Sequence, residues 1–300
     1  MAQLIKLFDY ISRYETDMYQ YPSKYIRLKQ NNWVKMKELW EKGEFKTTEN
    51  EPEEQHERKK SKWSWRFKRN KPAISEDDPE EEGWIPENEQ NLKQYFLDEL
   101  FPFQIKWAST TMFKKSFIDQ KLLKDSHLKL LLQRLPDHYF VMYKPVVEVK
   151  NAPMEAEILL IGPYEIEIVK IIDEKADRLY SDAHNQWYIE SEEVQRRYKN
   201  PLLGLKRTET FLRSVIKKYG LSCTFKHVLL APHSTITAVQ EPYLTTFVDE
   251  HSLEAWLQQK RKLTTPLKHD QLRAAEKLLQ HTKTVAVKRP EWDVDSEETL

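Results

Sequence analysis

Apolar residues recur at spacings of three and four at the start of the chain: Leu4, Leu7, Phe8, Ile11 and Tyr14 form one helical face. A second apolar set follows Pro22, at Tyr25, Ile26, Leu28, Trp33, Met36, Leu39 and Trp40. Residues 1–43 therefore read as a helical N-terminal arm. Residues 44–90 keep neither helix nor strand period. Acidic, basic and acidic blocks alternate there between prolines, the composition of a disordered charged linker. Helical spacing returns in LKQYFLDELF, which Pro102 is expected to stop, and in FKKSFIDQKLLKDSHLKLLLQRLP, which reads as a helix in two pieces.

Strand-like runs then crowd together. HYFVMY and VVEV come first and read as one strand bent at Pro145. AEILLIG and EIEIVKII follow, with Gly162-Pro163 as the turn between them. A polar segment containing Trp187 comes next. In LKRTETFLRSVIKKYG, residues Leu205, Phe211, Leu212, Val215, Ile216 and Tyr219 share a helix face, and Gly220 is placed to cap it. TFKHVLLAP is a further strand, and two helices close the chain around SLEAWLQQKRK and LKHDQLRAAEKLLQH. The order predicts an α/β fold, a mixed sheet core flanked by helices. The expected organisation is an arm at 1–43, a linker at 44–90, a main domain at 91–250 with its core about 112–240, C-terminal helices at 251–285 and a loose tail at 286–300.

Composition changes this picture little. Hydrophobic residues make up 39% and charged residues 32%, polar enough to leave part of the chain outside any core. Lys and Arg total 48, as do Asp and Glu, so only charge clustering informs on a partner. One cysteine, Cys223, rules out an internal disulfide. No signal peptide or membrane-spanning run is legible, so the expected location is cytoplasmic. The densest cluster is basic: Arg58, Lys59, Lys60, Lys62, Arg66, Lys68 and Arg69, interleaved with Trp63, Trp65 and Phe67. Such a patch binds phosphates while its rings stack on bases, docks at a membrane interface, or pairs with its own acidic flanks. The histidines are scattered, with His227 and His233 the closest pair, and no Gly-rich phosphate loop appears.

Two carboxylates and a lysine are the candidate chemistry. Hydrolysis of a phosphodiester by a divalent ion needs carboxylates to hold the metal and a group to orient water. Pro136-Asp137 and the run VEVKN supply a literal PD…ExK string, with Asp137, Glu148 and Lys150. The wider sequence is more specific. From about Phe117 to Thr235 it resembles the nuclease-related domain (NERD) family of the PD-(D/E)xK nuclease superfamily. The resemblance runs through LLLQRLPDHYFVM, MEAEILLIGPYEI, YKNPLLGLKRTETFLRSVI and TFKHVLLAP.

Anchored on Gly162-Pro163, the resemblance places the family's acid at Glu157, its helical acid near Asp125, and its Glu-x-Lys positions at Lys170 and Ile172. It implies a restriction-endonuclease-like core whose metal chemistry is lost, because an ammonium at Lys170 repels a divalent ion. The implied function is a degenerate module that binds nucleic acid or a protein partner. The alternative is an active nuclease using Asp137, Glu148 and Lys150 with Mg²⁺ or Mn²⁺. A further reading gathers Glu165 and Glu167 with Glu157 and Lys170.

Overall fold

The computed structural model describes residues 1–45, 85–150, 152–192, 194–238 and 242–289. In chain order these form β1 (Gln3–Leu7), α1 (Tyr21–Glu41), α2 (Glu89–Trp107), β2 (Lys114–Lys115), α3 (Ser126–Arg134), β3 (Phe140–Tyr143), β4 (Val146–Val149), β5 (Ala152–Glu155), β6 (Ile158–Ile161) and β7 (Glu165–Ile171). Then come β8 (Arg178–Ser181), β9 (Trp187–Ser191), β10 (Val194–Tyr198), α4 (Leu202–Lys218), β11 (Thr224–Leu230), β12 (Thr235–Thr237), β13 (Thr245–Val248), α5 (Leu253–Lys262), α6 (His269–Leu279) and β14 (Val287–Lys288). Two compact units divide the chain: Met1–Leu28 with Leu97–Leu300, and Lys29–Phe96. In the second, Trp33 packs on Phe96 and the Trp40 indole donates to the Pro86 carbonyl. No described helix is long and apolar enough to cross a membrane.

The first unit is mixed α/β. Its six-stranded sheet runs β1-β3-β6-β7-β11-β13, with β3-β6-β7 antiparallel and the remaining pairs parallel. Alternation along each strand supplies two buried faces. Val141, Leu160, Val169 and Val228 meet Leu128, Leu131 and Leu132 of α3 and Leu257 of α5. α4 covers the opposite face, where the Glu157 backbone N–H donates to the Thr208 hydroxyl. α6 is pinned to the same body by Gln271, whose amide donates to the carbonyls of His138 and Ile161.

Several local expectations are corrected. Residues 3–7 are a strand, not the first turns of a helix. A short apolar run fits both periods, and every residue of β1 is buried, so its parallel pairing to β3 decides the matter. Lys6 lies inside that strand because Glu15 reaches it at 2.6 Å and the Thr284 hydroxyl at 2.8 Å. α2 continues through Pro102 to Trp107; burial of Phe101, Phe103 and Ile105 outweighs the lost backbone bond. HYFVMY and VVEV belong to different sheets, since β4 forms a separate two-stranded sheet with β5. The polar segment around Trp187 holds β8, β9 and β10, which with β12 form a four-stranded sheet over a second core of Leu179, Trp187, Ile189 and Leu229.

One charge pair is sealed in the main core. Glu167 on β7 and Lys260 on α5 are 3% and 6% exposed and bond each other. The Lys260 ammonium also lies 5.5 Å from the Trp256 ring centre. Burial pushes the Glu167 carboxyl up from its usual range, against the pull of Lys260. Removing one partner strands the other charge, which costs about 3–5 kcal/mol, whereas replacing both with apolar residues costs far less. Urea denaturation of Lys260→Met, Glu167→Leu and the double variant is expected to rank the double variant above either single one.

Three histidines add a pH term. Burial is the main cause lowering the pKa of His138, His227 and His281 below 6.5. A lowered folded pKa means the unfolded chain binds the proton first, so stability present above about pH 6.5 is lost as pH falls through the lowered values. Unfolding midpoints compared at neutral and mildly acidic pH are expected to fall on acidification, and less so in His227→Asn.

Candidate functional site

At one end of the main sheet, where β3 and β7 finish and β6 begins, a cavity of about 350 Å³ opens. Its walls come from sequence-distant segments. Lys121 and Lys124 lie on a short 3-10 turn, Gln120–Lys124, and Asp125, Ser126 and His127 begin α3. Tyr143 and Lys144 end β3, Glu157 precedes β6, and Lys170 and Asp173 lie at the end of β7 and just past it. Four lysines thus face three carboxylates and a histidine.

Each side chain is held by local structure. Asp125 caps α3: its Oδ1 accepts the N–H groups of His127 at 3.0 Å and Leu128 at 2.9 Å. Its Oδ2 accepts the Tyr143 hydroxyl at 2.7 Å. Burial, and then the Asp125 charge, raise the Tyr143 pKa, so the phenol keeps its proton. Capping spends these N–H groups on the Asp125 carboxylate, which offsets the positive end of the α3 dipole.

Register places Glu157 opposite Lys170, because Ile158 pairs with Val169 in the antiparallel β6–β7 hairpin. The Lys170 ammonium donates to both Glu157 oxygens, at 3.1 and 3.2 Å. His127 Nε2 lies 3.2 Å from Asp173 Oδ1, an ion-pair distance without hydrogen-bond alignment. His127 is largely covered while Asp173 is open to solvent.

Of the residues singled out in the sequence, Asp125, Glu157 and Lys170 all line this cavity. Ile172 is buried in the second core. Glu165 pairs with Lys226, and Glu167 with Lys260 on α5, so neither joins Glu157. The literal string is dispersed. Asp137 precedes β3 and Glu148 follows it, so the length of β3, about 13 Å at 3.3 Å per residue, lies between them. Glu148 is exposed on β4, and Lys150 has a positive φ of 51° at the β4–β5 turn. Asp137, Glu148 and Lys150 therefore form no common centre. Among the described residues no three His, Cys, Asp or Glu side chains gather as metal ligands. The patch from Arg58 to Arg69 lies outside the described residues. Sequence reasoning missed His127, Lys121, Lys124, Lys144 and Asp173. The one signal for His127 was its place two residues after a helix-capping aspartate.

A protein from Geobacillus stearothermophilus named RNA 2',3'-cyclic phosphodiesterase is 39% identical to this chain over 113 residues. The match covers 35% of this chain and 36% of that protein, so the chain spans about a third of the length of the relative it matches. No family model matches the chain, and no solved structure matches it. These findings overturn the resemblance to the NERD family and to PD-(D/E)xK nucleases: the matched relative carries the name of a different phosphoesterase. The expectations of a degenerate, non-enzymatic binding module and of a metal-dependent nuclease at Asp137, Glu148 and Lys150 fall with it.

Gly204 on α4 backs this arrangement. A Cβ there would lie 2.1 Å from Glu157 Oε1. The clash is with the end of a flexible side chain, so it is relieved by swinging the carboxylate away from Lys170. Gly204→Ala is expected to keep folding stability within about 1 kcal/mol, since helix propensity offsets the strain. The Lys170 ammonium signal in NMR is expected to shift as it does in Glu157→Gln.

Proposed function

We propose that the chain is a phosphoesterase that hydrolyses the 2',3'-cyclic phosphate at an RNA end. The observation that carries this reading is the cavity in which the His127–Asp173 pair meets Lys121, Lys124, Lys144 and Lys170. The 39% identity to a protein named for that activity supports it.

The chemistry asks little of the protein. Water adds to phosphorus, one ring P–O bond breaks, and a proton moves to the departing ribose oxygen, leaving a phosphomonoester. His127 is the group in the cavity suited to carry that proton, and Asp173 lies 3.2 Å from its Nε2. Lys124 and Lys170 stabilise charge that builds on the phosphoryl oxygens, in a partly enclosed site where such interactions strengthen. Glu157 holds Lys170 in place through both carboxylate oxygens.

The test is hydrolysis of 2',3'-cyclic AMP and of an oligoribonucleotide with a 2',3'-cyclic phosphate end, read as monophosphate product. His127→Ala is expected to lower kcat by about 10²–10⁴. Lys124→Ala is expected to lower kcat/KM, and both variants should unfold as the wild type does. Absence of product from the wild-type chain, or full activity in His127→Ala, sinks this assignment.

A further inference from the structure

The four-stranded sheet β10-β9-β8-β12 has two unlike faces. Leu179, Trp187 and Ile189 point into the second core. Alternation sends Tyr180, Tyr188 and Arg197 to the other side. Register lines them up: Thr237 pairs with Tyr180, Tyr180 with Tyr188, and Tyr188 with Arg197. A parallel row runs Thr235, Arg178, Glu190, Gln195.

The first row is a ladder of π partners. The Tyr180 and Tyr188 rings stack, with centroids 5.4 Å apart and planes 24° from parallel. The Arg178 guanidinium lies 5.0 Å from the Tyr180 ring centre. Tyr180 thus has a cation and a ring against it. Across Tyr188, on the far side from Tyr180, stands Arg197. Its side chain is exposed and makes no hydrogen bond or ion pair with the described residues. Glu190 is the single acid in these two rows, flanked by Arg178 and Gln195 across the strands.

An aromatic face beside an unpartnered guanidinium suits a flat, uncharged ring joined to a phosphate, which is a nucleotide. Sheets that present aromatic side chains to successive unstacked bases are a recurring way to hold single-stranded RNA. The position fits the cavity. β10 ends at Tyr198, whose hydroxyl pKa is raised by burial, against the pull of Arg196 and with a smaller push from the charge of Glu157. From there Asn200 and Pro201 lead into α4, whose Gly204 lies against Glu157. The strand that carries Arg197 therefore runs to the cavity wall.

We infer that the outer face of this sheet, centred on Tyr188 and Arg197, holds single-stranded RNA whose end enters the cavity. The inference rests on the phosphodiesterase reading for which end of the RNA enters. A base stacks on Tyr188 and the adjoining phosphate pairs with Arg197, so an oligonucleotide is preferred over a mononucleotide.

Two measurements on the full chain separate the sheet face from the activity. One is fluorescence anisotropy with a labelled single-stranded octaribonucleotide ending in a 3'-phosphate. The other is kcat/KM for 2',3'-cyclic AMP against that for an oligoribonucleotide with a cyclic phosphate end. Tyr188→Ala and Arg197→Glu are compared with wild type; Arg197 is exposed on an edge strand, so its variant guards against a folding defect.

The expected result is oligonucleotide binding weakened about tenfold or more in each variant, with kcat/KM for cyclic AMP unchanged. Hydrolysis of both substrates with equal kcat/KM, insensitive to both variants, overturns the sheet face and leaves the activity standing. Binding lost in both variants while no substrate is hydrolysed supports the sheet face and overturns the activity. No binding and no hydrolysis overturns both.

Discussion

The antiparallel pairing of β6 with β7 is the constraint on which the rest of the structure depends. Ile158 opposite Val169 puts Glu157 opposite Lys170 and closes their ion pair at the sheet end. The same register sends Glu167 to the opposite face, where α5 meets it with Lys260. β7 also pairs with β11 along its whole length, so both cores are referred to this strand. A slip of one residue would exchange the faces, burying Lys170 under the helices and exposing Val169. Such a slip is opposed by burial on both sides of the strand at once.

Charge is used in two different ways in this fold. The Glu167–Lys260 pair is enclosed, and Lys6 is buried against the more open Glu15; the two pairs fix how α5 and the chain after β1 pack. The charges around the cavity are more open to solvent. Lys170 is held by Glu157 yet a third exposed, and Asp173 reaches His127 from solvent. Asp125 is spent on capping α3 and on the Tyr143 hydroxyl, so its contribution is rigidity. Rigid walls and an excess of ammonium groups are what phosphoryl chemistry needs from a protein.

The elements set by local pattern were legible in the sequence. α4 is amphipathic, with Leu205, Leu212, Val215 and Ile216 buried, and Gly220 follows it with a φ of 63°. The β6–β7 hairpin was marked by two Ile- and Val-rich runs about Gly162-Pro163. The resemblance anchored on that turn pointed to Glu157, Lys170 and, on a helix, Asp125, which line one cavity, and to Ile172, which is buried in the second core instead. The family attached to that resemblance was wrong. Landmarks such as Gly-Pro and Asn-Pro report turns and helix starts, which many folds share, and they say little about chemistry.

By itself, the sequence determined the helices with a full apolar stripe, the hairpin with its turn, and the mixed α/β class, because these depend on residues within a few positions of one another. Only the tertiary structure decided that residues 3–7 are a strand, since their apolar spacing fits either period until β3 lies beside them. It also decided that the polar stretch around Trp187 forms a sheet, where one face in two is covered by Leu229 and Ala231 from β11 and the residue after it. The cavity belongs wholly to that level. Lys144 and Asp173 carry no local signature, and they meet His127 because the ends of β3 and β7 and the start of α3 converge at one edge of a sheet.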